Sequence, residues 1–189
     1  MAFELRSARF LAREALERAV SPGDTVVDAT MGNGHDTLFL AEQVGPEGRV
    51  YAFDIQESAL VSTGNLLEEH GVSSRVSLHC VSHAKLKEYV PCPVSAVVFN
   101  LGWLPGGDHR VTTLCASTEA AVRGALDLLL PGGILTVCVY PGHEEGNREK
   151  DMLLDFFSSL SNREFNVLRQ SFLNAGEGAP ECLIVQKLK

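Results

Sequence analysis

A chain of 189 residues is long enough for one domain with a substantial core. Its 45% hydrophobic and 21% charged residues are ordinary for a globular protein, and no apolar run approaches the roughly 18–20 residues of a membrane span. A net charge of −8 argues against sequence-independent binding to long nucleic acid, which relies on many phosphate contacts.

Leu5, Phe10, Leu11, Ala15, Leu16 and Ala19 recur at helical intervals and predict a helix over 4–20, broken by Ser21-Pro22-Gly23. This stretch lacks the uninterrupted apolar core of a signal peptide, so a cytoplasmic protein is expected. Arg6, Arg9 and Arg13 share one face of that helix and Arg18 follows, as a solvated face or a local basic patch. A β-branched run at 24–30 predicts the first strand. A helix follows over 35–44, then a Gly-Pro-Glu-Gly turn at 45–48 and a second strand over 49–55. Residues 56–70 predict a helix closed by Gly71. Strands are expected over 75–80 and 94–100, then a long helix over 112–130 stopped by Pro131-Gly132-Gly133. A strand over 134–140, a helix over 146–160 and two closing strands over 164–171 and 181–188 complete the chain.

Alternating strands and helices predict an α/β fold, a doubly wound Rossmann-like sheet. The short connection between the last two strands suggests an antiparallel edge hairpin on a seven-stranded, mostly parallel sheet. One domain over 1–189 accommodates all of it, with the first helix as an accessory element. Cys80, Cys92, Cys115, Cys138 and Cys182 are scattered without a CxxC pair, so no metal site or disulfide framework is expected.

The first strand runs into Val27-Asp28-Ala29-Thr30-Met31-Gly32-Asn33-Gly34-His35-Asp36-Thr37. Glycines at such a turn let a ligand approach the backbone, and the following helix offers free N–H donors. Thr37 stands where a dinucleotide fingerprint wants Gly or Ala, which counts against NAD. Asp28 before the glycines would repel a pyrophosphate and attract an ammonium, which S-adenosylmethionine carries. Asp54, at the tip of the second strand, is placed to accept both hydroxyls of a ribose, or to cap the next helix. Ser82-His83 ends the third strand, where an adenine amino group would lie, unless His83 is a surface or capping residue. This series of strand ends resembles the class I S-adenosylmethionine-dependent methyltransferases.

The fourth strand ends in Asn100-Leu101-Gly102-Trp103, similar to the Asn-Pro-Pro-Tyr loop of methyltransferases that act on exocyclic amines. Leu101 and Gly102 replace the prolines. Methyl transfer from a sulfonium needs a neutral nucleophile held in line and close. Asn100 would orient an amine, Trp103 would stack on a planar base, and Asp108 or His143 would take the proton. The alternatives are a core or interface aromatic for Trp103, a turn residue for Asp108, and a helix cap for His143 in Tyr140-Pro141-Gly142-His143-Glu144.

Together these four motifs resemble the YtqB-like family, long labelled rRNA methylases, which includes the MnmM-type enzymes. Members more often carry Tyr at the position of Trp103. The resemblance implies N-methylation of the aminomethyl group of 5-aminomethyl-(2-thio)uridine at the tRNA wobble position. It implies S-adenosylmethionine as cofactor, S-adenosylhomocysteine as product, no metal, the tRNA anticodon stem-loop as partner, and a homodimer. Mapped onto this chain, it places Asp28, Met31, Gly32, Asn33, Gly34, Asp36, Thr37, Asp54, Gln56, Ser82, His83 and Asn100 at the cofactor. Asn100, Trp103, Asp108 and His143 become the catalytic set. The alternatives are an rRNA methyltransferase, a small-molecule amine methyltransferase, or a non-catalytic cofactor-binding module. A basic strip around the pocket from the N-terminal arginines, Arg110 and Arg148 would favour RNA.

Overall fold

The computed structural model describes residues 7–189. Arg6 and the expected helical residues before it lie outside this range. The strands are β1 (Thr25–Asp28), β2 (Arg49–Asp54), β3 (Val76–Cys80), β4 (Val94–Asn100), β5 (Leu129–Val139), β6 (Phe165–Gln170) and β7 (Glu181–Lys187). They form one seven-stranded sheet in the order β3-β2-β1-β4-β5-β7-β6. The first five are mutually parallel, and β7 and β6 are antiparallel, as expected of an edge hairpin.

The helices are α1 (Ala8–Ala19), α2 (His35–Val44), α3 (Glu57–Glu69), α4 (Leu86–Tyr89), α5 (Cys115–Leu128) and α6 (Glu144–Ser158). Alternate strand residues face opposite layers. Val26, Val50, Ala96 and Val98 pack with Leu16, Leu40 and Leu67 of α1, α2 and α3. Val27, Phe53, Val97 and Phe99 pack with Leu86, Ala121 and Leu153 of α4, α5 and α6. Near its start, α1 sets Ala8 and Ala12 against Cys138 of β5 and Cys182 of β7. No helix among the described residues is long and apolar enough to cross a membrane.

Two local expectations change. The short helix α4 falls between β3 and β4, where the sequence pattern showed no helix; four residues are too few for an apolar period to register. And Pro131-Gly132-Gly133 does not separate helix from strand. The helix ends at Leu128, Leu129 already pairs with Val94, and pairing resumes at Ala96 with Ile134. The intervening residues bulge out of β5. A Cβ on Gly133 would lie 2.9 Å from the carbonyl oxygens of Leu130 and Ser95, so the bulge closes only on glycine.

The strand order reverses between β1 and β4. That is the switch point of a doubly wound sheet, where ligands bind outside the carboxyl ends of the strands. Asp28 and Asn100 are the last residues of those two strands.

Candidate active site

The loop after β1 is held from four directions. Asp28 is fully buried; it accepts from the Thr37 hydroxyl at 2.7 Å and from the Thr30 N–H at 3.1 Å. Met31 N–H donates to the Phe53 carbonyl at 2.9 Å. Gly32 N–H donates to Asp54 Oδ2 at 3.1 Å, while the Thr63 hydroxyl donates to the Gly32 carbonyl at 3.0 Å. Gly34 caps α2 with φ +83°, and a Cβ there would meet Thr63 at 2.8–3.0 Å, so only glycine allows α3 to close on the loop. Thr63 lies mid-helix among neutral residues, with nothing local to mark it.

Asp54 also accepts from Gln56 N–H at 3.0 Å. A carboxylate has about four acceptor sites, so capacity for a diol remains after these two backbone bonds. Ser82 caps a short 3₁₀ turn over His83–Lys85, accepting from Ala84 N–H at 3.3 Å. His83 is buried edge-on against Phe99, and burial lowers its pKa to about 4, so the ring is neutral near pH 7. It is an interior residue, neither surface nor cap. Burial is also the main cause that raises the Asp28 pKa to about 7, with the charge of Asp36 adding to it and the bonds from Thr37 and Thr30 opposing it.

Asn100 sits at the centre. Its N–H donates to Thr30 Oγ1 at 2.7 Å, tying β4 to the loop after β1. Its side-chain NH2 donates to Asp36 Oδ2 at 2.9 Å. Its Oδ1 is buried with no hydrogen-bond partner, an arrangement that costs about 1–3 kcal/mol unless a ligand answers it. Asp36 stood among the expected cofactor ligands; here its oxygens are taken by Arg9, Arg13 and Asn100. Arg9 grips both oxygens, with Nε and Nη2 each at 2.9 Å in the closest contacts. The helix face read as solvated or basic is thus partly spent inside the site.

The segment from Leu101 to Leu114 lies over the first loop. Asn33 Nδ2 donates to the Pro105 carbonyl at 3.3 Å, and Leu104 packs against Gly32. Trp103 is 37% exposed, stacked on His109 with ring centres 4.4 Å apart and tilted on His143 at 4.7 Å. The segment is anchored from below: Gly102 N–H donates to Thr113 Oγ1 at 2.8 Å, and Thr113 Oγ1 donates to Glu149 of α6 at 2.9 Å. Thr118 donates to the other Glu149 oxygen at 2.6 Å. Burial pushes the Glu149 carboxyl above its usual range against the pull of both hydroxyls.

The two residues expected as bases are otherwise engaged. Asp108 is exposed and chelated by Arg110, whose Nη2 lies at 2.7 Å and whose side-chain and backbone hydrogen bonds hold the carboxyl below its usual range. His143 caps α6, its Nδ1 accepting from Gly146 N–H at 3.2 Å. That bond leaves the ring proton on Nε2 of a neutral imidazole.

The profile of the family described as "Putative rRNA methylase" matches residues 50–186. The chain belongs to that family. This rRNA methylase family member is 38% identical to the "tRNA (mnm(5)s(2)U34)-methyltransferase, chloroplastic" of Arabidopsis thaliana, over 91% of this chain and 66% of that protein. It spans, in other words, slightly under two thirds of that relative's length. Its structure superposes on that of a "putative rRNA-methylase" from Clostridium thermocellum with a TM-score of 0.96 and 39% identity, covering 98% of this chain and 100% of that one. A "putative methyltransferase" from Streptococcus mutans, solved in complex with SAH, gives 0.89 and 35%, with 98% and 100% covered. The architecture is that of the class I S-adenosylmethionine-dependent methyltransferases.

Proposed function

We propose that the protein transfers a methyl group from S-adenosylmethionine to the aminomethyl nitrogen of 5-aminomethyl-(2-thio)uridine at the wobble position of tRNA. The observation that carries this reading is the unpartnered buried Oδ1 of Asn100 at the end of β4. The Arabidopsis relative named for a U34 methyltransferase of tRNA and the SAH-bound relative from Streptococcus mutans support its substrate and cofactor.

The residues present suit the cofactor. Gly32 and Met31 offer close backbone approach, Asp54 has acceptor capacity for a ribose diol, and His83 and Ser82 border the adenine end. Asn33 and Gln56, next to Gly32 and Asp54 respectively in the two loops, would complete the same rim. Asp28 and Thr37 serve by shaping the loop, since each is fully buried and bonded to the other. When bound, the cofactor supplies a methyl on a sulfonium, which needs no acid.

On the substrate side, Asn100 Oδ1 accepts an N–H from the target amine and leaves its lone pair free for transfer. Holding reactants in such a geometry is where the rate gain of a methyl transfer lies. Trp103, backed by His109 and His143, gives the pyrimidine an aromatic shelf at the mouth, where base stacking contributes about 1–3 kcal/mol. With Asp108 bound to Arg110 and His143 to Gly146, the proton of the methylated ammonium passes to solvent at the open mouth.

The test is mass spectrometry of nucleosides after incubating purified protein and cofactor with undermodified tRNA. One added methyl on 5-aminomethyl-2-thiouridine is expected, and Asn100→Ala should abolish it while retaining cofactor binding by calorimetry. The family's description favours rRNA as the second reading. A parallel arm with ribosomal RNA, methylated where tRNA is not, would reverse the assignment.

A further inference from the structure

The polar cluster around Asp36 reaches past the role given to Asn100. An asparagine amide can turn either end toward a neighbour, and only its surroundings choose. Here Oδ1 of Asp36 accepts from Arg9 Nη2 at 2.9 Å and Arg13 Nη2 at 3.2 Å, and Oδ2 accepts from Arg9 Nε at 2.9 Å. Paired with two guanidinium groups, this carboxylate presents acceptors alone. Only the NH2 end of Asn100 can face it, and it does so at 2.9 Å. The backbone of Asn100 is pinned separately by Thr30. The oxygen therefore has one direction left, and there it is buried and unpartnered.

We propose that Asp36 is a positioning residue: clamped by Arg9 and Arg13 of α1, it locks the Asn100 amide with its oxygen outward, so that the site selects a target donating an N–H. This rests on the reading of the site as an amine methyltransferase. A primary amine gives one hydrogen to Oδ1 and keeps its lone pair for the methyl. A target with only acceptors meets lone pair against lone pair and is rejected. The first helix thereby becomes part of the catalytic apparatus without touching the substrate.

Two measurements decide it. The first needs no substrate. In ¹⁵N spectra, the side-chain amide of Asn100, identified by its loss in Asn100→Ser, should exchange slowly with water in the wild type. Exchange should be faster by about tenfold or more in Asp36→Asn and Arg9→Ala, the equivalent of losing one hydrogen bond to a charged group. Equal exchange rates in wild type and variants would overturn the lock.

The second measurement is kinetic. Asp36→Asn should lower kcat by about 10–100-fold, a loss of transition-state orientation. The cofactor Kd and the substrate KM should both stay near wild type. The double variant Asp36→Asn/Asn100→Asp reverses donor and acceptor while still turning an acceptor oxygen outward. It should exceed both single variants in activity, whereas losses that simply add would also overturn the proposal. Arg9→Lys keeps the charge without the fork and should give intermediate exchange and turnover; it serves where Asp36→Asn does not fold. Should the wild type methylate none of the RNAs offered, the substrate assignment fails, and the exchange measurement still judges the lock.

Discussion

Two buried residues, Asp28 at the end of β1 and His83 in the turn after β3, store opposite pH dependences. Asp28 has its pKa raised from 3.8 to about 7, so its contribution to stability is fully present below 3.8 and lost as pH rises through about 7. His83 is lowered from 6.5 to about 4, so its contribution is present above 6.5 and lost as pH falls through about 4. The windows overlap and the trends oppose. Urea unfolding should show His83→Gln gaining stability relative to wild type as pH falls from 6.5 toward 4, and Asp28→Asn losing it. Parallel pH profiles in all three proteins would contradict the assignment. At this scale the placement of Gly32, Gly34, Asp54 and Asn100 at or just past strand ends was legible, because a strand end followed by small or polar residues announces itself locally. The grip of Arg9 on Asp36 was not. A polar helix face reads the same whether its arginines meet water or a carboxylate 27 residues away. Thr63, bonded to a carbonyl 31 residues earlier, escapes for the same reason.

Among the elements, the segment between β4 and α5 depends on α6. Its connection runs from Gly102 through Thr113 to Glu149, a buried carboxylate that also holds Thr118. Glu149→Gln keeps the shape and leaves one threonine hydroxyl facing an NH2 group. The expected loss is about 1–3 kcal/mol of stability. Trp103 is the sole tryptophan, so its emission reports this segment directly. The variant should shift that emission to the red as the ring leaves His109 and His143; an unchanged spectrum would show the segment to be held otherwise. The strands and longer helices followed from their periodicities, and their order along the chain predicted the doubly wound sheet. The bulge in β5 did not follow, because Pro-Gly-Gly carries the same local signal whether it ends a helix or lets a strand step around a neighbour's carbonyls.

Across the whole molecule, net charge is −8, and four of the five described arginines expected to form a basic strip pair with carboxylates. Arg9 and Arg13 share Asp36, Arg110 pairs with Asp108, and Arg148 with Glu144 and Glu145. On the proposed reading, RNA at such a rim would be held more by shape and stacking than by released counterions. The dissociation constant for tRNA should depend weakly on salt, with a log–log slope of magnitude below about 2. A slope of about 5 or more would mean that these ion pairs open to take phosphates. The first described element of the chain, α1, packs on β5 and on β7, the last described strand. A nascent chain lacking 181–187 already contains the glycine loop and Asn100, but its first helix has only part of its seat. The clamp on Asp36 therefore gains its full backing only when β7 has joined the sheet beside α1.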